Sequence, residues 1–253
     1  MNPTTRHELE VRFRTAGAEA SSTDFHLRQL QRLLRAVSVD DRLLKDTEWL
    51  IATGVRDTSY LYAVFDTDGP TAAALAVLRE DDKEYEGVVR SFALWNGQEE
   101  RAKGASISCR FDRYDGLASS LRLSMKSARG TCRLGAWERV ADALKTAACI
   151  YEPIYCSVET PNYEAVFKDR PGVGWMLYLP RVLTAQQVPE ARALVPVMTE
   201  GDGKKQKPAQ VGTIIVSVTD EPFSDENPEH VKIANAIEIR LVDQDLLPRY
   251  AEL

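Results

Sequence analysis

The runs VVRSFALWNGQ (88–98), ASISCRF (105–111) and SSLRLSM (119–125) decide the fold class. In the last two, apolar and polar residues alternate, the period-two signature of a strand with one buried face. Asn96-Gly97 is a common hairpin-turn signal. The stretch predicts roughly three antiparallel strands between Val88 and Met125, joined by short turns.

Working outward, Glu8 to Arg14 also alternate, with Leu9, Val11 and Phe13 on one side and Glu10, Arg12 and Arg14 on the other. That is a half-buried strand. Phe25, Leu27, Leu30, Leu33, Leu34 and Val37 then recur at helical spacing, with Arg28, Gln31, Arg32 and Arg35 as the wet face. The segment 40–66 is ambiguous between helix and strand. TAAALAVLRE (71–80) predicts a short helix with Pro70 in its first turn.

Beyond the three strands, Trp137, Val140, Ala141, Leu144, Ala148 and Tyr151 form a helical stripe that Pro153 ends. IYCSVE (154–159) and VGWMLYLP (173–180) read as strands, Pro189–Leu194 as a short helix, and the β-branched VGTIIVSV (211–218) as a strand. EGDGKKQKPAQ (200–210) is a polar surface loop. The last helix is the best marked: Asn227 suits the N-cap, Pro228 the first helical position and Glu229 the positive end of the dipole. The expectation is a single α+β domain over residues 1–253, with a mixed or antiparallel sheet and helices packed against it.

Composition bounds the function classes. A chain of 253 residues, 44% hydrophobic and 28% charged, buries a core without metals or disulfides. No basic region followed by an apolar run opens the sequence. No apolar stretch approaches the roughly 20 residues needed to span a bilayer, so a soluble cytoplasmic protein is expected, without membrane contact. The net charge is −6, where a nucleic-acid binder shows a basic excess, so direct nucleic-acid binding is not expected.

Chemical motifs are few. Cys109, Cys132, Cys149 and Cys156 form no CxxC pair, and His7, His26 and His230 are scattered, so neither a metal nor a cofactor is expected. The histidines read as surface or partly buried polar residues. No GxSxG is present, and no catalytic residue is assigned. Gly172 and Gly174 form a lone GxG before a strand, the wrong context for a dinucleotide turn, and read as a turn. Trp49, Trp95, Trp137 and Trp175 are expected in the core, and Tyr60, Tyr62, Tyr151, Tyr155, Tyr163 and Tyr178 nearer the surface.

Two acidic runs stand out. Glu80, Asp81, Asp82, Glu84 and Glu86 form one, and Asp220, Glu221, Asp225, Glu226 and Glu229 the other. Charge runs usually face water as solvated loops. The functional reading is a surface for a basic partner, whose approach such charges steer. The candidate partner-binding residues are therefore Glu80, Asp81, Asp82, Glu84, Asp220, Glu221, Asp225 and Glu226.

The order EPIYCSVE, NYEAVFKDRPGVGWMLYLP, EARALVPV, GTIIVSV and FSDENPEHVKIANAIEIRLVDQDLLP resembles the immunity 52 family of bacteria. The first strand, the FHLRQLQRLL helix and LWNG fit the same pattern, so the likeness runs from Glu8 to Pro248. The resemblance implies an immunity protein linked to polymorphic toxins and type VI secretion clusters, kept in the cytoplasm. Its partner would be the nuclease domain of a cognate toxin, often a DNase, blocked without catalysis. No binding residue is carried over. Two rivals remain: an adaptor that loads an effector for secretion, and a small hydrolase using Cys156 or Glu159 near Arg170.

Overall fold

The computed structural model describes residues 3–15, 22–84, 89–112, 118–199 and 208–252. The strands are β1 (Thr4–Phe13), β2 (Leu50–Ile51), β3 (Val89–Trp95), β4 (Ala105–Asp112), β5 (Ser119–Ala128), β6 (Tyr155–Glu159), β7 (Met176–Leu179), β8 (Ala193–Met198) and β9 (Gln210–Val216). They form one nine-stranded sheet in the order β2-β3-β4-β5-β1-β6-β7-β9-β8. Every pairing is antiparallel. The helices are α1 (Thr23–Val37), α2 (Arg56–Ser59), α3 (Ala72–Glu84), α4 (Trp137–Tyr151) and α5 (Pro228–Asp243). The fold is α+β, as the alternating strands predict.

β1 is the spine of the sheet. It pairs with β5 along its whole length and with β6 along half of it, from Glu8↔Glu159 to Arg12↔Tyr155. Leu9, Val11 and Phe13 are buried against the helical layer, where α1 packs on α4. Phe13 meets the Tyr151 ring of α4 at 4.8 Å. The two halves of the sheet differ. In β4, residues alternate between buried and exposed, so that half is covered on one face only. β7 is buried throughout, as is β9 from Gly212 onward, so this half is covered on both. The chain after α5 returns over Tyr155, with the Tyr250 ring 6.4 Å away.

α5 is held by one buried carboxylate. Glu238, 1% exposed, accepts from the Tyr163 hydroxyl at 2.6 Å, the Val173 amide at 2.9 Å and the Val166 amide at 2.7 Å. The β6–β7 connection is thereby tied to the helix. Gly174 belongs to that connection at φ +50, and a Cβ there would meet the Glu159 Cβ at 2.5 Å. The GxG is thus a backbone turn under close packing.

Several expectations shift. Of the short helix expected over Pro189–Leu194, residues 189–192 form a turn or irregular segment and Ala193 and Leu194 open β8. Pro196 sits in this outermost strand of the sheet, where a missing N–H costs no ladder bond. Asn96-Gly97 does not make a two-residue hairpin; β3 and β4 are joined by residues 96–104. The Asn96 side chain instead bonds the Leu43 and Lys103 carbonyls and the Ala105 amide at 2.8–3.2 Å. Pro70 lies ahead of α3, whose start is capped by the Thr71 hydroxyl on the Ala74 amide. Tyr151, Tyr155 and Tyr178 are buried, against expectation, because each packs within the core; Tyr60 is exposed. Trp49 and Trp175 are fully buried, while Trp95 and Trp137 are half-buried. The loop expected over 200–210 lies largely outside the described residues.

Replacing Glu238 by Ala leaves the buried Val173 amide without its acceptor, removes the bond to the Val166 amide and leaves the Tyr163 hydroxyl to Asn235 alone, and is expected to destabilise the fold by about 2 kcal/mol or more. Urea denaturation of the variant measures this, and an unchanged midpoint would remove Glu238 as the tie.

Candidate functional site

The second acidic run, 220–226, is the loop that delivers the chain to α5. Asn227 caps the helix by accepting from the Glu229 amide at 3.1 Å, with Pro228 next, as the sequence predicts. Acidic side chains beside this end complement the helix dipole. Glu221 approaches His230 Nε2 at 3.2 Å and accepts from the Asn227 amide nitrogen at 3.3 Å. His230 Nδ1 accepts from the Ser224 amide at 3.1 Å, so the loop is pinned to the first turn of α5. Glu226 pairs with Arg129 at the end of β5. Phe223 is fully buried, edge-on to Tyr163 and stacked on His230.

The loop forms one wall of a cleft of about 420 Å³. The facing wall comes from Thr4, Thr5 and Arg6 at the start of β1, with Arg129 and Gly130 after β5. On its other side, Asp225 and Glu226 border a shallow apolar groove along α5 that includes Val231 and Ile239, the latter 53% exposed. Glu221 and Glu226 are exposed, Asp225 is half-buried and Asp220 is exposed.

The first run lies elsewhere. Glu80, Asp81, Asp82 and Glu84 belong to the last turns of α3 and not to a loop. Their helix runs four residues beyond the predicted end, although acidic residues oppose the negative end of the dipole. Glu80 and Asp81 are exposed; the side chains of Asp82 and Glu84, and residue 86, lie outside the described set. Asp81 lines a cleft with Leu78, Ser91 and Arg110. Arg110 is level with Ser120 and Arg12, whereas the other run is level with Thr4. The two runs are thus near opposite ends of β1, roughly 30 Å apart at about 3.4 Å per residue, and form no single patch.

The candidate chemical groups are structural. His7 is buried against Trp175 and hydrogen-bonds the Phe223 carbonyl at 3.0 Å; burial lowers its pKa. His26 stacks on Phe111 at 3.7 Å. All three histidines are buried, not surface groups, because each fills an aromatic cluster. Cys156 is fully buried and burial raises its thiol pKa, so it supplies no thiolate. Arg170 donates to the Leu247 carbonyl. These placements oppose a hydrolase built on Cys156. Cys109 is also buried, Cys132 half-buried and Cys149 exposed. Among the described residues, no group of three or more His, Cys, Asp or Glu side chains is placed to hold a metal ion.

The profile of immunity protein 52 matches residues 27–249. The chain belongs to the immunity protein 52 family. Among solved structures, the chain is similar to the Pseudomonas aeruginosa T6SS protein PA0821, at 12% identity over 92% of this chain and 76% of that one, with a TM-score of 0.46. A search of curated proteins gives no match. In this immunity protein 52 relative, no helix among the described residues is long and apolar enough to cross a membrane.

Sequence reading missed one constellation. On the uncovered face of β5 and β1, Arg122 bonds Glu10 at 3.0 Å and approaches Glu8, Arg12 bonds Glu10 at 2.7 Å, and Arg6 pairs with Glu8. Glu159 is level with Glu8 on β6. The period-two pattern of β1 held the signal, once combined with the register to β5. Glu159 is half-buried, and its pKa is pushed up to about 8 by burial, then by the charges of Glu10 and Glu8. A carboxyl raised from 4.5 to about 8 favours folding below about pH 4.5 and loses that contribution as pH rises through 8. Glu159→Gln should therefore match the parent in stability near about pH 5 and exceed it near about pH 9. The gain, discounted for partial exposure, is roughly 2–4 kcal/mol at about 1.36 kcal/mol per unit. Denaturation at the two pH values checks the sign; a stability difference independent of pH would refute the assignment.

Proposed function

We propose that this protein neutralises a cognate secreted toxin by stoichiometric binding, and that the toxin is a nuclease delivered by type VI secretion. Membership of the immunity protein 52 family, matched over residues 27–249, carries the reading. In this reading the protein acts in the cytoplasm of the producing cell and performs no catalysis of its own. The partner contact is the loop 220–226, in which Glu221, Asp225 and Glu226 present carboxylates beside a cleft and an apolar groove and Asp220 is exposed at its start. An enzyme that cleaves nucleic acid carries a cationic substrate cleft, which an acidic, pre-shaped loop complements. Pinning by His230, Asn227 and Arg129 fixes the loop before binding, which lowers the ordering cost. The acidic end of α3 is too distant to share a small contact and is a separate candidate for Glu80, Asp81, Asp82 and Glu84.

Mixed with its cognate nuclease toxin, the protein is expected to abolish DNA cleavage near a one-to-one ratio. Cleavage that persists at excess, with a complex still formed, would turn the reading towards the adaptor role.

Charge reversal of Asp225 and Glu226 to Lys should slow association, most at low salt, where screening is weak. Stopped-flow rates over a salt series test the loop; rates equal to the parent's at all salts would show that it merely faces water.

A further inference from the structure

The sheet face left bare by the helices carries a charge opposite to that of the molecule. On β4 and β5, Ser106, Ser108, Arg110, Arg122 and Lys126 are exposed, and Ser91 and Ala93 extend the same face on β3. Arg6 and Arg12 join it from β1, with side chains 45% and 33% exposed. Of the carboxylates on these strands, Glu8, Glu10 and Asp112 are buried and Glu159 is half-buried; the exposed Asp81 of α3 borders the face at the β3 edge, in the cleft with Ser91 and Arg110. Across β5 and β1, water and any partner therefore meet guanidinium and ammonium groups, while Glu8 and Glu10 lie beneath as fixed counter-charges.

The arrangement is built. Arg6, Glu8, Arg122, Glu10 and Arg12 form a continuous ladder of ion pairs that fixes three guanidinium groups over two buried carboxylates. Such groups lose little further freedom on binding a second carboxylate. Arg6 stands directly opposite Lys126 in the β1–β5 register. Like charges in that position oppose sheet pairing, so the fold tolerates a cost to keep both on this face. The serines and alanine between the cations are short and leave a flat platform that a broad surface can approach.

We propose that this bare face of β3, β4, β5 and β1 is a docking surface for a carboxylate-rich segment of a partner protein. Charge complementarity names the occupant. Nucleic acid fits less well: sheet platforms that bind single strands stack bases on exposed aromatics, whereas the rings here stand at the margins, Trp95 half-buried and packed against Tyr60, and Tyr250 packed on the buried Tyr155 beyond Arg12. The surface adjoins the cleft beside the acidic loop 220–226 at Arg6, and the proposal does not depend on the toxin reading.

The test uses the full chain and a fluorescent peptide of alternating Asp and Glu, about twelve residues long, read by anisotropy. Arg110→Glu with Lys126→Glu reverses two exposed cations outside the ion-pair ladder. Lys145→Glu with Lys232→Glu makes the same change in net charge on α4 and α5. Circular dichroism and urea midpoints confirm that both double variants fold. The parent should bind the peptide saturably, with at least ~10-fold loss in the sheet-face variant and under ~2-fold loss in the control, as expected for a local rather than a net-charge effect. A single-stranded oligonucleotide of equal charge should bind more weakly than the peptide. Equal loss in both variants, no saturable peptide binding, or tighter oligonucleotide binding would each overturn the proposal.

Discussion

The Glu238 carboxylate is the tie on which the C-terminal half depends. It lies 1% exposed and gathers three donors, all from the 163–173 part of the β6–β7 connection. Burial disfavours the charged form and raises its pKa, while the hydrogen bonds from Tyr163, Val173 and Val166 pull the other way. A buried acceptor of this kind is costly unless satisfied. Satisfaction here requires the connection and α5 to be in place together. The register of α5 then sets where Asn227 begins the helix, and with it the position of the acidic loop.

A second constraint is the uneven cover of the sheet. The helical layer closes one face, while β6, β7 and β9 are buried on both. Continuous apolar runs such as MLYL and TIIV in β7 and β9 satisfy that double burial; the alternation in β4 and β5 satisfies single burial. The boundary falls at β1 and β6, where Glu8 and Glu10 are buried and Glu159 is half-buried. That position explains both the ion-pair ladder and the raised pKa of Glu159: three carboxylates meet where solvent is partly excluded.

Much of the fold was legible because local patterns agreed with the final packing. β1, the three strands from 89 to 128, α1, α4 and α5 follow their apolar periodicity, and the Asn227-Pro228 start of α5 matches its capping chemistry. β8 was not legible, since its proline reads against a strand unless the strand is known to lie at the rim of the sheet. The buried histidines escaped because their partners, Phe223 for His7 and Phe111 for His26, are distant in sequence. The acidic loop could be found as a run of like residues. The cationic face could not, because its members alternate singly within three strands and meet only through register.

Net charge is therefore a poor guide to what a partner meets on this molecule. The chain total of −6 points to a basic partner, and the loop 220–226 fits that expectation. Yet Glu8 and Glu10 contribute to the total while buried beneath cations, and Asp112 contributes while buried. What emerges is polarity in space: carboxylates at the start of α5 and guanidinium groups across the bare sheet. Two surfaces of opposite sign fix orientation as well as attraction, since a partner turned the wrong way meets like charge. For a protein proposed to recognise one cognate toxin among related ones, that geometry discriminates where a uniformly acidic surface would not.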